Sequence, residues 1–264
     1  MNILKKIAKK TKARVKAEKK RVSLSQMMGM AQVNVNDTFL FETRLRKSDD
    51  IAFICELKKA SPSKGIIAED FPYLHIAWDY IKGGATALSV LTEPFWFMGC
   101  NSYLQNISKT FNIPILRKDF TIDPYMIYET KALGAHAVLL ICSLMGKKTL
   151  TEYIKIAHSI GLSALVETHD EAEVEMALSA GARIIGVNNR NLKTFDVDIN
   201  LSARLRKLVP DDVIFISESG IQTAEDVQAL REIGANAVLI GESIMRQDDK
   251  KAAIENLRGD SCQK

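Results

Sequence analysis

Two charged residues at the end of an apolar run are the first candidates for chemistry in this chain. Glu56 and Lys58 close a run that begins at Ile51, and a loop of Ser, Pro, Lys and Gly follows them. Because side chains alternate between the two faces of a β-strand, Glu56 and Lys58 project from the same face. Opposite charges are costly on a buried face unless they bind a ligand or react. The sequence therefore predicts a functional site at this strand end.

Charged residues recur at the ends of later apolar runs. Lys118 follows the third run and Glu167 the fifth, so four ionisable groups would converge if these runs are strands of one sheet. Neighbouring lysines lower one another's pKa, while nearby carboxylates oppose that shift. Such a set is suited to general acid and base catalysis. Other strand ends are polar as well, at Thr92-Glu93, Asn188 to Asn191, Ser217 to Gly220 and Gly241 to Ser243.

Eight strand-like runs, alternating with helical patterns, position these residues. The runs cover residues 51–57, 86–91, 113–117, 137–142, 162–166, 184–188, 213–217 and 237–240. Most lack polar alternation, which is typical of parallel strands covered on both faces. Helical patterns between them include Tyr73–Lys82, Pro124–Leu133, Thr149–Ile160, Asp170–Ala180 and Ala224–Ile233.

A repeated Gly-Ala pair supports the count of eight. The pairs begin at Gly84, Gly134, Gly181 and Gly234, each ending a helix with a left-handed glycine before an even-numbered strand. A period near fifty residues spans two βα units, so the sequence predicts an α/β fold, a single (β/α)8 TIM barrel. A doubly wound open sheet is the alternative, but no G-x-G-x-x-G motif follows the first strand. We expect one domain over residues 1–264, in which residues 1–50 are a helical extension that caps the barrel bottom or flanks its mouth.

The last two strand ends indicate the ligand. In TIM barrels, phosphate commonly binds after strands seven and eight. Gly220 and Gly241 let backbone N–H groups approach phosphate oxygens, and a short helix after strand eight would add its positive end. Glu242 opposes an anion there unless its side chain points away and only its amide contributes. The sequence favours a phosphate site over two ordinary glycine turns.

Charge and composition indicate whether the chain is a globular, membrane-spanning or nucleic-acid-binding protein. The 264 residues are 47% hydrophobic, with no apolar run of 18 residues that would predict a membrane span. Residues 1–21 carry ten Lys or Arg and one acid, Glu18, so the remainder has a net charge of −5. This segment could bind nucleic acid or an anionic membrane, but it lacks aromatic residues, and a solvated helix is favoured. Its docked side would carry Ile3, Leu4, Ile7 and Val15.

The cysteines and histidines predict neither disulfides nor a metal site. Cys55, Cys100, Cys142 and Cys262 are widely scattered, which fits reduced thiols in a cytoplasmic protein. The four histidines lack metal-binding spacing, and no cofactor is expected. His169 follows Glu167 closely and could orient a neighbour, although a loop or helix-cap role is the simpler interpretation.

Together, the strand ends resemble those of the indole-3-glycerol phosphate synthase family. The matching motifs, in family order, are E-L-K-K-A-S-P-S-K-G, L-T-E-P-F-W-F-M-G, I-L-R-K-D-F, A-L-V-E-T-H, I-G-V-N-N-R-N-L, S-E-S-G-I and L-I-G-E-S-I-M. They cover nearly the whole chain. The N-terminal I-L-K-K-I-A-K-K-T-K-A-R-V is also similar to the family's basic first helix, which weakens the nucleic-acid interpretation.

The resemblance implies a carboxy-lyase of tryptophan biosynthesis. Its reaction would close a ring on 1-(2-carboxyphenylamino)-1-deoxyribulose 5-phosphate, giving indole-3-glycerol phosphate, CO2 and water. By resemblance, Lys118 is the general acid, Glu167 transfers protons in the dehydration, Lys58 pairs with the substrate carboxylate and contacts the phosphate end, and Glu56 holds and tunes Lys118. Whether Lys58 or Lys118 is the acid in each step stays open. The remaining implied catalytic residues are Asn188 and Ser219, and the implied substrate or phosphate contacts are Ser61, Phe97, Phe120, Arg190, Gly220, Gly241 and Glu242.

Two other functions compete with this one. Another phosphosugar barrel enzyme, such as phosphoribosylanthranilate isomerase, would use a Cys/Asp pair, but Cys55 alternates away from the face of Glu56. A non-catalytic phosphate-binding barrel leaves the convergent ionisable residues unexplained. The expected partner is a small phosphosugar, without nucleic acid or membrane, and the expected state is a monomer or weak homo-oligomer. Because the chain ends soon after strand eight, we expect the form that is not fused to an isomerase.

Overall fold

Eight parallel strands close into a barrel in the computed structural model, which describes residues 3–34, 37–191 and 194–259. The strands are β1 Ala52–Leu57, β2 Ala87–Leu91, β3 Ile115–Lys118, β4 Ala137–Ile141, β5 Ser163–Thr168, β6 Ile184–Asn188, β7 Ile214–Glu218 and β8 Ala237–Ile240. Each strand pairs with the next along the chain, and β8 returns to β1 with Ala237 opposite Ala52. The predicted (β/α)8 barrel is confirmed, and the open sheet is wrong.

Helices separate the strands and precede the first one. They are α1 Ile3–Arg21, α2 Leu24–Val33, α3 Leu40–Arg46, α4 Tyr73–Lys82, α5 Asn101–Thr110, α6 Pro124–Ala132, α7 Lys147–Ser159, α8 Glu171–Ser179, α9 Asn200–Arg206, α10 Ala224–Glu232, α11 Glu242–Met245 and α12 Lys250–Arg258. A 3₁₀ turn, Cys142–Leu144, follows β4, and a small hairpin pairs Ala60–Ser61 with Gly65–Ile66 after β1. Every predicted strand and helix ends within two residues of its observed position.

The repeated glycines have the backbone conformation that the sequence predicts. Gly84, Gly134, Gly181 and Gly234 have φ values of 87°, 91°, 88° and 78°. This left-handed region is open to glycine because it has no Cβ. Each of these residues turns the chain from the end of a helix toward the next even-numbered strand.

Alternation along the strands builds two hydrophobic layers. Inward residues such as Ile54, Leu116 and Leu165 form one cluster inside the barrel. Outward residues such as Cys55 and Phe53 pack against the surrounding helices in a second cluster. Cys55 thus points away from the barrel interior, as its alternation with Glu56 predicts. Since the side-chain period is two, several inward rows become polar at the carboxyl end of their strands, as at Glu56, Lys118 and Glu167. The inward rows of β2 and β4 instead end in Leu91 and Ile141.

The N-terminal helices occupy both ends of the barrel. Phe41 and Leu45 of α3 belong to the inner cluster, together with the first residues of β1 and β8, so α3 closes the amino end. Helix α1 lies at the carboxyl end, where Leu4 and Ile7 are buried. The guanidinium of Arg14 on α1 donates to both carboxylate oxygens of Asp119, at 2.9 and 2.8 Å. The extension therefore both caps the bottom and flanks the mouth.

Two further sequence predictions concern thiols and membranes. Cys55 and Cys142 are buried free thiols and Cys100 is an exposed one, while Cys262 lies outside the described residues. Within residues 3–34, 37–191 and 194–259, no helix has the length and apolar character needed to cross a bilayer.

The plug at the amino end predicts a stability effect. Phe41 has 0% exposure, so Phe41→Ala leaves a cavity and should cost about 3–5 kcal/mol of unfolding free energy, measured from urea denaturation curves. The control is Phe95→Ala, the same change at a side chain that is 50% exposed, with an expected cost under about 1 kcal/mol. Equal costs at both positions would contradict a packed plug.

Candidate active site

A cavity of about 630 Å³ opens at the carboxyl ends of the strands. It collects all the side chains and glycines that the sequence analysis assigns to the site: Glu56, Lys58, Ser61, Phe97, Lys118, Phe120, Glu167, Asn188, Arg190, Ser219, Gly220, Gly241 and Glu242. Ile3, Leu4 and Ile7 of α1 add an apolar wall. The convergence predicted from separate strand ends is therefore present, while the role of each residue stays a prediction.

The ammonium of Lys118 lies at the centre of the charged groups. Its Nζ donates to Glu218 Oε2 at 2.6 Å and to Glu167 Oε2 at 3.2 Å. Both carboxylates are almost fully buried, and the Lys118 side chain is only 14% exposed. One positive charge is thus shared by two acids in a site that is nearly closed to water.

These contacts shift the pKa values in opposite directions. Burial alone would lower the pKa of Lys118, but the charges of Glu218, Glu167 and Glu56 outweigh it and raise the pKa above its usual value. Burial raises the pKa of Glu218, and the charge of Glu167 adds to that effect. The pKa of Glu167 is lowered, because Lys118 and His169 overcome the effect of burial. The cluster therefore holds an ionised carboxylate beside one that protonates readily, which is the arrangement of an acid–base pair.

Glu218 is the member of this cluster that the sequence analysis did not select. The sequence analysis predicts polar residues at the end of this strand, but it assigns Ser219 and Gly220 to the site. The signal was present: Ile214 and Ile216 point inward, so a period of two directs Glu218 inward as well.

Glycine at position 186 makes room for Glu218. Gly186 lies on the neighbouring strand β6, and a Cβ there would overlap Glu218 Oε1. That oxygen is buried without a hydrogen-bond partner, while Oε2 bonds to Lys118. Gly186 therefore permits the close approach of the carboxylate to the strand.

A second ion pair lies beside the first. Lys58 Nζ donates to Glu56 Oε1 at 2.8 Å, and Ser89 Oγ donates to Glu56 Oε2 at 3.2 Å. The hydrogen bonds of Glu56 go to Lys58 and Ser89, and its negative charge contributes to the raised pKa of Lys118, so its role in holding and tuning Lys118 stays a prediction. Glu218 and Glu167 reach across the barrel to Lys118, and Lys58 projects beside Glu56 on the same strand.

Two aromatic rings form one side of the cavity. The centroids of Phe97 and Phe120 lie 5.9 Å apart, with their planes tilted by 40°. The loop that carries Phe97 is held by Glu93, whose carboxylate accepts backbone N–H bonds from Phe95, Trp96 and Phe97 at 3.0, 2.7 and 3.0 Å. Glu93 is fully buried, so it is a structural support of this aromatic wall.

The opposite side is formed by the turns after β7 and β8. Ser219 and Gly220 have φ values of 68° and 85°, a left-handed turn that is uncommon for a serine. Gly241 precedes the short helix α11, and a Cβ at Gly241 would lie 2.9 Å from Glu56 Oε1 and 3.1 Å from Lys58 Nζ. The backbone at this edge therefore approaches the ion pair of β1 closely.

Three cations surround the carboxylate of Glu242. Its oxygens lie 3.7 Å from Lys64 Nζ, 3.5 Å from Arg190 Nη2 and 3.4 Å from Arg246 Nε. The sequence analysis treated this glutamate as unfavourable for an anion. Three positive charges against one negative charge leave this edge with net positive charge. The sequence analysis assigns neither Lys64 nor Arg246 to the site: Lys64 comes from a distant loop that only the fold brings near, whereas Arg246 lies four residues after Glu242, at the end of α11.

The remaining assigned residues also have defined partners. Asn188 Oδ1 accepts a bond from the backbone N–H of Arg190 at 3.0 Å, and Asn188 also hydrogen-bonds to Glu167. Ser61 lies in the hairpin after β1, with its Oγ 3.5 Å from Ser63 Oγ. Among the described residues, no group of three His, Cys, Asp or Glu side chains is arranged to hold a metal ion.

Comparison with known proteins gives concordant matches. A family model described as Indole-3-glycerol phosphate synthase matches residues 4–257. The indole-3-glycerol phosphate synthase of Ruminiclostridium cellulolyticum is 59% identical over 258 residues, which cover 97% of this chain and 99% of the relative. That of Lachnoclostridium phytofermentans is 48% identical, over 97% and 98% of the two chains. The crystal structure of 3-hexulose-6-phosphate synthase from Salmonella typhimurium has a TM-score of 0.65 at 15% identity, covering 78% of this chain and 96% of that one, and shows the fold alone.

The contact between Gly186 and Glu218 predicts a non-additive pair of substitutions. Gly186→Ala should lower the unfolding free energy by about 1–3 kcal/mol, because the new methyl group overlaps Glu218 Oε1. In a Glu218→Ala background the same change should cost at least about 1 kcal/mol less. Urea denaturation of the four proteins measures this coupling, and additive costs would show that Glu218 does not occupy the space beside Gly186.

Proposed function

The chain belongs to the indole-3-glycerol phosphate synthase family, and on that premise we propose which residues perform the reaction. Its activity is that of the family, a carboxy-lyase of tryptophan biosynthesis that acts on a phosphosugar-like substrate. The reaction closes a ring on 1-(2-carboxyphenylamino)-1-deoxyribulose 5-phosphate and yields indole-3-glycerol phosphate, CO2 and water. The observation that carries the proposal is the buried ammonium of Lys118 between Glu218 and Glu167.

In ring closure, Lys118 is the general acid. The aromatic carbon that bears the carboxylate attacks the ribulose carbonyl carbon, and Lys118 donates a proton to the carbonyl oxygen as the C–C bond forms. The carboxyl group then leaves as CO2, and its bonding electrons restore the aromatic ring. Because Glu218 lies 2.6 Å from Lys118 Nζ and protonates readily, it can return a proton to the amine.

In dehydration, the ionised carboxylate of Glu167 is the base. It accepts the proton released as the double bond of the new ring forms, while an acid protonates the departing hydroxyl group. Lys118 is the acid within reach of Glu167, at 3.2 Å. The low pKa of Glu167, produced mainly by Lys118 and His169 against the effect of burial, keeps it ionised for this step.

The two sides of the cavity suit the two ends of the substrate. Phe97 and Phe120 would pack against the anthranilate ring, and Lys58 would pair with its carboxylate. Backbone N–H groups of Gly220, Gly241 and Glu242 would bind the phosphate. The net positive charge at this edge supports that assignment. Other substrate contacts are assigned to Ser61, Asn188, Arg190 and Ser219.

We propose a single domain over residues 1–264, with residues 1–50 as its extension. The Arg14–Asp119 pair supports this by fixing α1 to the loop after the strand of Lys118. A docked α1 also supports a protein that acts without nucleic acid, as a monomer or weak homo-oligomer. The cytoplasm is the proposed location, since a reducing compartment suits the free thiols of the described cysteines.

Lys118→Met tests the proposed acid. Removing the proton donor should lower kcat by about a hundredfold or more with the fold intact. The measurement is indole fluorescence over time with 1-(2-carboxyphenylamino)-1-deoxyribulose 5-phosphate. Lys20→Met, the same change at an exposed lysine of α1, should match the wild type. Near-full turnover by Lys118→Met would remove Lys118 from its role, and no turnover by folded wild type would leave a phosphate-binding barrel.

Gly241→Ala tests the phosphate edge. The new methyl group would crowd Glu56 Oε1 and Lys58 Nζ and obstruct the approach to the backbone amides. The KM for substrate and the inhibition constant of inorganic phosphate should both rise about tenfold, a loss of about 1.4 kcal/mol. Gly29→Ala, at an exposed glycine with no atom within 4 Å of a Cβ, is the matched control. A rise in KM without a change in phosphate inhibition would locate the phosphate elsewhere.

A further inference from the structure

His169 lies directly behind the carboxylate of Glu167. Its Nε2 lies 3.3 Å from Glu167 Oε1, an ion-pair contact without a hydrogen bond, whereas Glu167 Oε2 accepts a hydrogen bond from Lys118 inside the cavity. His169 is not among the residues that line the cavity. Glu167 therefore has one oxygen toward the substrate space and the other held from outside it. A residue in this position acts on the reaction through Glu167 and not by contact with substrate.

Glu173 fixes the imidazole from the other side. Its Oε2 lies 3.0 Å from His169 Nδ1 and also accepts the backbone N–H of His169 at 2.9 Å. Glu173 is in turn placed by the start of α8, where its own N–H donates to the capping side chain of Asp170 at 2.8 Å. Each ring nitrogen of His169 thus lies beside one carboxylate. The orientation of the ring is determined by backbone hydrogen bonds as well as by charge.

The charges around the ring favour the imidazolium form. Among the described residues, the ionisable groups that face the ring are Glu167 on β5 and Glu173 on α8, with Lys118 beyond the former and Cys142 beside the latter. Burial alone would lower the pKa of His169, but its contacts with both carboxylates raise it to about 10. At neutral pH the chain Lys118–Glu167–His169–Glu173 therefore alternates positive and negative charge.

We propose that His169, held by Glu173, is a positioning residue that orients Glu167 and stabilises its ionised form during turnover. The proposal rests on the proposed role of Glu167 as the base. A fixed cation behind a carboxylate favours its charged form and leaves the other oxygen free to accept a proton. Glu167 loses the attraction of Lys118 whenever that residue gives up its proton, and His169 is the cation that remains.

The kinetic test replaces the imidazole in two ways. His169→Leu removes both charge and donor, so kcat should fall about tenfold while KM changes less than about twofold, since His169 does not touch substrate. The acid limb of the kcat–pH profile should move up by about one pH unit, because Glu167 has lost a neighbouring cation. His169→Gln retains an N–H donor without charge, so it should recover part of kcat but keep the shifted limb. His75→Leu is the control. His75 also has a carboxylate four residues later in the sequence, that of Asp79, but the His75 side chain is on the surface.

A measurement without turnover separates this proposal from the proposed function. The imidazole signals of the four histidines in the wild-type protein can be followed by NMR, with His169→Gln identifying the signal of His169. We expect His169 to remain protonated at pH 8, and to titrate at lower pH in Glu173→Gln. Titration of His169 near pH 6.5 in the wild type would overturn the proposal whether or not the enzyme turns over. So would a loss of kcat in His169→Leu without a shift of the acid limb, or a rise in KM alone.

Discussion

Lys118 carries a positive charge where little water reaches it, and an unpaired ammonium in such a place costs several kcal/mol. Two carboxylates from strands on the far side of the barrel offset this cost. Burial, together with the charge of the neighbouring Glu167, makes Glu218 bind a proton more readily than a solvated carboxylate does. One cluster of buried charges thus contains both a carboxylate of lowered pKa, Glu167, and a carboxylate of raised pKa, Glu218.

The need to stabilise buried charges also determines contacts around the site. Glu218 approaches Lys118 over a strand that has glycine at position 186, and Glu56 is paired with Lys58 and accepts a hydrogen bond from Ser89. Asp119, the residue after Lys118, accepts the guanidinium of Arg14 and so ties the N-terminal helix to the loop that follows β3. The charged residues in the barrel interior therefore depend on partners that lie far from them in the sequence.

Local sequence patterns predict the structural features that depend on a single strand or a single loop. The period of two predicts which residues face the interior, and the glycine turns predict where helices end. The pattern identifies Glu56 and Lys118 as inward residues, but it does not show how far each side chain reaches across the barrel. The sequence pattern does not select Glu218 as a site residue, because the Ser-Gly turn beside it resembles a phosphate-binding loop. The contacts of Lys64 and Arg190 with Glu242 depend on loops that only the closed barrel brings together, whereas the pairing of His169 with Glu173 is a local contact four residues apart.

The plug formed by Phe41 and Leu45 also determines how molecules enter and leave. Among residues 3–34, 37–191 and 194–259, these side chains and the aliphatic layer above them fill the amino end of the barrel, so the cavity opens through a doorway at the carboxyl end. Substrate, CO2, water and the indole product all share that doorway, which helix α1 borders with Leu4 and Ile7. Because substrate and product occupy the same cavity, each new substrate can bind only after the previous product has left.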